Sequence, residues 1–144
     1  VSVDLVDQDA PNATLFMLSW AAPLGAVGQS RYESGPLPYR QFNRIGGTDV
    51  DDEGIDHVLM SVHTFGWART PAERSTTLHE CDRTHRRMTL LARDPLRDIT
   101  MPDGSIANLD YLETVEKPRL SDYGVDTIHR YKAVYRFGLS FVAV

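Results

Sequence analysis

The chain has one cysteine in 144 residues, so no internal disulfide can staple it, which fits a reducing compartment. Only two of its fifteen basic residues are lysines, Lys117 and Lys132. The arginine excess is read as GC-rich coding. No apolar run approaches the roughly 18 residues that a membrane span needs. The stretch "VSVDLVDQD" has neither a basic leader nor an apolar core and is read as no signal peptide. G-x-x-x-x-G-K-[ST], G-x-G-x-x-G and G-x-S-x-G are all missing, so neither a phosphate cradle nor a hydrolase nucleophile elbow has support. No repeat or linker divides the chain, and residues 1–144 are expected to form one domain.

What is present is a balanced globular composition, 42% hydrophobic and 24% charged, with a net charge of −5. That sign argues against a dedicated nucleic-acid binder. A first helix is expected over "NATLFMLSWAAPLG", capped by Asp9 with Pro11 in its first turn and ended at Pro23-Leu24-Gly25. Leu15, Leu18 and Ala22 would form its core face. Residues 25–36 read as a loop or irregular hairpin. "YRQFNRIGG" reads as a strand closed by two glycines, and "DHVLMSVHTFGW" as a second strand central in its sheet.

Thr70-Pro71-Ala72-Glu73 predicts a helix start, with threonine as cap and Glu73 reaching back to it, and the helix should run to about Ala92. Short strands are expected at 98–101 and 108–116 around a Pro102-Asp103-Gly104 turn. "IHRYKAVYRFGLSFVAV" alternates as a long strand, with Tyr131, Ala133, Tyr135, Phe137, Leu139 and Phe141 on one side. The order predicts an α+β fold: a two-layer sandwich, mainly antiparallel, with both helices on one sheet face.

The chemically suggestive stretch is "TLHECDRTHRRM". His79-Glu80 opens like H-E-x-x-H, but Arg83 stands where the second histidine belongs. At about 100° per residue, Leu78, Cys81, His85, Met88 and Ala92 share an arc of roughly 80° that predicts the core face. His79 lies roughly 160° from Cys81, so the side chains cannot converge on one metal. Cys81 then reads as a core thiol rather than a nucleophile. Asp82 can pair with Arg86 at the i,i+4 spacing. "GGTDVDDEGID" opens like a calcium loop but has Met60 where a bidentate glutamate is needed. No catalytic, cofactor or metal residues are assigned.

Three stretches taken together resemble a known family. They are "GPLPYRQFNRIGGTDVDDEGIDHVLMSVHTFGWART", "AERSTTLHECDRTHRRMTLL" and "ETVEKPRLSDYGVDTIHRYKAVYRFGLSF". In this order, over roughly residues 36 to 141, they resemble the tail terminator proteins of long-tailed bacteriophages of actinobacteria. The resemblance implies a structural virion protein with no cofactor. Family members form a ring, commonly a homohexamer, that caps the tail tube, stops its polymerisation and presents a surface to the head–tail connector. It implies a tail tube protein on one face, connector or adaptor proteins on the other, and genomic DNA passing through the lumen without sequence-specific binding. The location would be the head-proximal end of the tail, with assembly in the host cytoplasm and no membrane contact.

A ring needs complementary heterologous surfaces. The acidic loop Asp49, Asp51, Asp52, Glu53 and the arginine stripe Arg83, Arg86, Arg87 are the candidates for opposite sides of a subunit contact, or else simply solvated surface. Another neck or head-closure ring protein is the alternative within the virion, and a small cytoplasmic enzyme the alternative outside it.

Overall fold

A computed structural model describes residues 12–50, 55–93, 98–102 and 104–141. Its elements are α1 (Ala13–Ala21), a 3₁₀ turn (Ala22–Leu24), β1 (Ala26–Gly28), β2 (Tyr39–Val50), β3 (Ile55–Trp67), α2 (Pro71–Arg93), β4 (Asp98–Thr100), β5 (Ile106–Ser121) and β6 (Ile128–Phe141). The six strands form one sheet in the order β1-β2-β3-β6-β5-β4. All pairings are antiparallel except β1 with β2. The fold is α+β as expected, but the sheet curls toward a half-barrel instead of lying flat.

The curl has local causes. Register shifts fall between Arg44 and Gly46 in β2, and at three places along β5. Each inserts unpaired backbone and sharpens the local twist. The last, between Glu116 and Arg119, surrounds Pro118, whose nitrogen has no hydrogen to give the ladder. In β2 the two glycines bulge the strand rather than close it, and Gly47 sits at φ +134°. The 25–36 segment contributes β1, a strand that its turn-rich composition concealed.

Both helices cover one face. Phe16, Met17, Met88 and Leu91 meet Phe42, Val58, Met60, Val62, Tyr135 and Phe137 in a single core. Phe16 stacks on Phe137 with ring centroids 6.4 Å apart. β3 is central, between β2 and β6, as its two-sided apolar content predicted.

Both helices depart from their predicted faces. The α1 cap is Asn12, whose Oδ1 accepts from the Leu15 amide at 3.1 Å; Asp9 and Pro11 lie outside the described residues. Its buried side is Ala13, Phe16, Met17, Trp20 and Ala21, while Leu15 and Ala22 are exposed. In α2, Thr77, Cys81, Thr84, Met88 and Leu91 are buried and Leu78 is exposed. The helix is thus rolled by about 60° from the predicted arc.

The reason for the roll is that two threonines have polar partners beneath the helix. Thr77 donates to the Trp67 carbonyl at 2.7 Å, and Thr84 contacts the buried guanidinium of Arg40. Thr70 does cap α2, accepting from the Glu73 amide at 3.1 Å. Glu73 reaches one residue further back than expected, to the Arg69 amide at 3.0 Å.

Gly66 lets α2 sit this close. A Cβ at that position would collide with the Thr77 side chain. Gly66→Ala should therefore destabilise the chain by about 1–3 kcal/mol in urea unfolding. Thr77→Ala in the same background should recover part of the loss, and no recovery would place the strain elsewhere.

Candidate assembly surfaces

A buried and fully partnered guanidinium lies beneath α2. Arg40, on the helix-facing side of β2, is fully buried. Its Nε donates to Thr84 Oγ1 at 3.0 Å and one terminal nitrogen donates to the Leu24 carbonyl at 3.2 Å. The other terminal nitrogen forms a short ion pair with Glu80. Glu80 also accepts from Arg83 at 2.8 Å. One guanidinium thus ties β2 to α2 and to the end of the α1 unit. Burial pushes the Glu80 carboxyl up, but the hydrogen bonds and charges of Arg40 and Arg83 outweigh it and hold the group below its usual range.

This bears on the predicted arginine stripe. Arg83 is half-buried and bound to Glu80. Arg87 lies over the Trp20 ring at 3.7 Å, and its Nε donates to the Trp20 carbonyl at 2.9 Å. Trp20 Nε1 returns a hydrogen bond to the Arg87 carbonyl at 2.9 Å, locking α1 to α2. Arg86 is the exposed member of the three. The Asp82–Arg86 ion pair expected from spacing does not form among the described residues. Of the acidic candidates, Asp49 lies near the end of β2, paired with Asp56 in the ladder. Asp51, Asp52 and Glu53 lie outside the described residues.

The histidines and the thiol do not gather into a reaction centre. His85 Nδ1 is 2.7 Å from the Tyr135 hydroxyl, and the rings stack. Burial, with Lys117 adding to it, holds His85 below its ordinary value against the opposing pull of Asp82. Burial pushes the Cys81 thiol up to about 11, Asp82 adding to the rise and Arg40 opposing it. A thiol so placed stays protonated near neutral pH. Among the described residues no group of three or more His, Cys, Asp or Glu side chains could hold a metal ion.

The described surface includes two depressions. One, of about 330 Å³, runs between the cis Leu37-Pro38 bond and the first half of α2, lined by Trp67, Ala72, Thr76 and Glu80. The other, of about 350 Å³, lies at the β5–β6 turn beside Leu120, Tyr123, Val125 and His129. Exposed Trp67, Leu120 and Val125 edge these hollows. No helix among the described residues is long and apolar enough to cross a membrane.

No family model and no curated protein sequence matches the chain. Its architecture does have a counterpart among solved structures. A chain in the virion of a native gene transfer agent particle matches it with a TM-score of 0.56 and 16% identity. The match covers 90% of this chain and 94% of that one. At that identity the likeness is one of fold, and it spans nearly the whole length of both chains.

Two measurements follow from the buried network. Glu80→Gln leaves the Arg40 guanidinium buried without its carboxylate and should cost about 3–5 kcal/mol in urea unfolding near neutral pH. Because the folded Glu80 pKa lies below its unfolded value, its contribution is full above the usual carboxylate range. It is lost as pH falls through the folded value, so the gap between wild type and Glu80→Gln should narrow in acid. A gap independent of pH would detach the effect from this carboxyl. For Cys81, thiol labelling of the native protein should be slow and rise steeply on unfolding; equal rates would contradict its burial.

Proposed function

We propose that this chain is a structural, non-enzymatic virion protein of the tail terminator type. It forms a ring on the last ring of the tail tube, ends tube polymerisation and offers the surface for head–tail joining. The observation that carries this reading is the nearly full-length fold match to a virion chain, in a molecule whose sequence over residues 36–141 resembles tail terminators. Two lines of reasoning, one from residues and one from backbone geometry, lead to the same kind of particle.

The ring is a homohexamer, with the tail tube protein on one face and connector or adaptor proteins on the other. Genomic DNA passes through its lumen without sequence-specific binding. The protein assembles in the host cytoplasm and ends at the head-proximal end of the tail, in a phage of an actinobacterium. Subunit contacts are electrostatically complementary, drawing on Asp49, Asp51, Asp52 and Glu53 and on the outer side of α2. There Arg86 is exposed, while Arg83 and Arg87 also carry bonds within the chain. A neck or head-closure ring protein is the second reading, since the matched virion chain is described by its particle and not by its position.

Deleting the gene and imaging the particles separates these readings. Overlong tails, with antibody labelling at the tube–neck junction of wild-type virions, are expected. Tails of normal length, or labelling on the portal side, would favour the neck reading instead. Charge reversal Arg86→Glu should reduce ring yield while leaving thermal unfolding within about 0.5 kcal/mol of wild type. Undiminished rings would remove Arg86 from the contact.

A further inference from the structure

The helix-free face of the sheet carries a cluster of three cations that form no ion pair among the described residues. In the β3–β6 ladder His63 stands opposite Lys132 and Phe65 opposite Arg130, so all four side chains share that face. Arg31, from the segment between β1 and β2, lies 5.6 Å over the Phe65 ring. Phe65 meets Tyr123 edge-on at 5.0 Å, and Arg130 lies 5.5 Å over Tyr123. Arg31 and Arg130 are therefore held in place by aromatic rings, and they and Lys132 are half-buried.

Their hydrogen-bonding capacity is only partly used. Arg31 donates to the Tyr123 hydroxyl and the Glu33 carbonyl, and Arg130 to the Ser121 hydroxyl and the Asp122 carbonyl. Every one of these acceptors is neutral. The Nε of each arginine is buried and unpartnered. Among the described residues Arg31, Arg130 and Lys132 form no ion pair. Glu116 is already bound by Arg119, and Lys132 acts on it only as a further charge. The mutual crowding is felt at His63, which burial and then Arg130 and Lys132 hold below its ordinary value.

Three positive charges gathered without an ion pair among the described residues, in a chain whose net charge is −5, point to an anionic partner. The chain carries a complementary segment itself, Asp49-Val50-Asp51-Asp52-Glu53, where β2 hands over to β3. The described residues that flank it, Val50 and Ile55, pair with each other at the far end of the ladder from the cations. From Ile55 to His63 β3 runs eight residues, about 27 Å, or roughly three Debye lengths at physiological salt. Asp49, opposite Asp56 in the ladder, and the cations opposite His63 and Phe65 thus occupy opposite ends of one sheet. That is the arrangement a head-to-tail contact between copies requires, because each subunit offers both halves on different surfaces.

DNA is the competing polyanion. Three cations would neutralise few phosphates, and the overall negative charge of the chain opposes its approach. A second copy of this chain is the better-matched occupant.

We infer that the sheet face around Arg31, Arg130 and Lys132 receives the acidic segment 49–53 of a neighbouring copy. This rests on the ring reading and adds to it the basic half of the contact, on the sheet and apart from the helix stripe. The test is sedimentation velocity on the purified full chain. Lys132→Glu, at a side chain that makes no hydrogen bond among the described residues, and Arg130→Glu/Lys132→Glu should each weaken assembly, the double by roughly tenfold or more. Asp51→Lys/Asp52→Lys should do the same, and combining both double changes should restore it. Assembly of the wild type should also weaken as salt is raised.

Unimpaired assembly of Lys132→Glu and the basic-side double variant overturns this pairing while leaving the ring standing. So does failure of the combined variant to recover when it unfolds cooperatively like wild type. A wild type that remains monomeric at every concentration removes the ring and this contact together. Salt-sensitive binding of duplex DNA that is abolished by Lys132→Glu, with assembly unchanged, would assign the patch to nucleic acid instead.

Discussion

The buried guanidinium of Arg40 sets the geometry of this molecule. A cation with no exposure is tolerated only when its charge is neutralised and its donors are used. Here that demand fixes three elements at once. Glu80 must face down from α2, Thr84 must lie beside it, and the carbonyl at Leu24 must come within reach. Those requirements set the roll of α2 about its own axis, which decides which arginines reach the surface. They also place the end of the α1 unit, from which Trp20 meets Arg87. The helix layer is positioned by polar satisfaction as much as by apolar contact.

This explains where the sequence was readable and where it was not. Strand alternation in "DHVLMSVHTFGW" and "YKAVYRFGL" identified the two central strands, since side chains on a strand sort strictly by parity. The Thr70-Pro71 start of α2 was equally legible, because capping chemistry is local. The buried face of α2 was not. Apolar periodicity counts threonine as polar, and Thr77 and Thr84 are inside because partners elsewhere in the chain bring them in. Arg40 itself was invisible. Between Tyr39 and Gln41 an arginine looks like an exposed strand residue, and only the tertiary fold reveals Glu80 above it. In α1 the misreading was one of choice among many apolar residues, for nearly every side of that short helix could be buried.

The candidate contact residues show the same limit. Arg83, Arg86 and Arg87 share the outer side of a helical wheel, and spacing alone cannot distinguish them. The fold does. Arg83 completes the Arg40–Glu80 network and Arg87 clamps Trp20, so both guanidiniums have structural employment before any neighbour arrives. By contrast, Arg31, Arg130 and Lys132 come from distant parts of the chain, and no local motif joins them. Their association exists only through the ladder pairing of β3 with β6 and through the rings of Phe65 and Tyr123.

Arg40 on one face of the sheet and Arg31 and Arg130 on the other are held in opposite ways. On the helix face, Arg40 is buried with a carboxylate, and its worth is spent holding the subunit together. On the other face Arg136 pairs with Glu113, but Arg31 and Arg130 are fixed by aromatic rings and neutral acceptors, which orient them without cancelling their charge. Aromatic support stabilises a cation by only about 0.5–2 kcal/mol, less than a desolvated carboxylate would, so much of the field still extends outward. The ring proposed above would benefit from this division. The Arg40–Glu80 pair is silent to the outside, while Arg31, Arg130 and Lys132 lie at the end of the sheet away from Asp49. Register between copies can then be set by long-range attraction before any close packing forms.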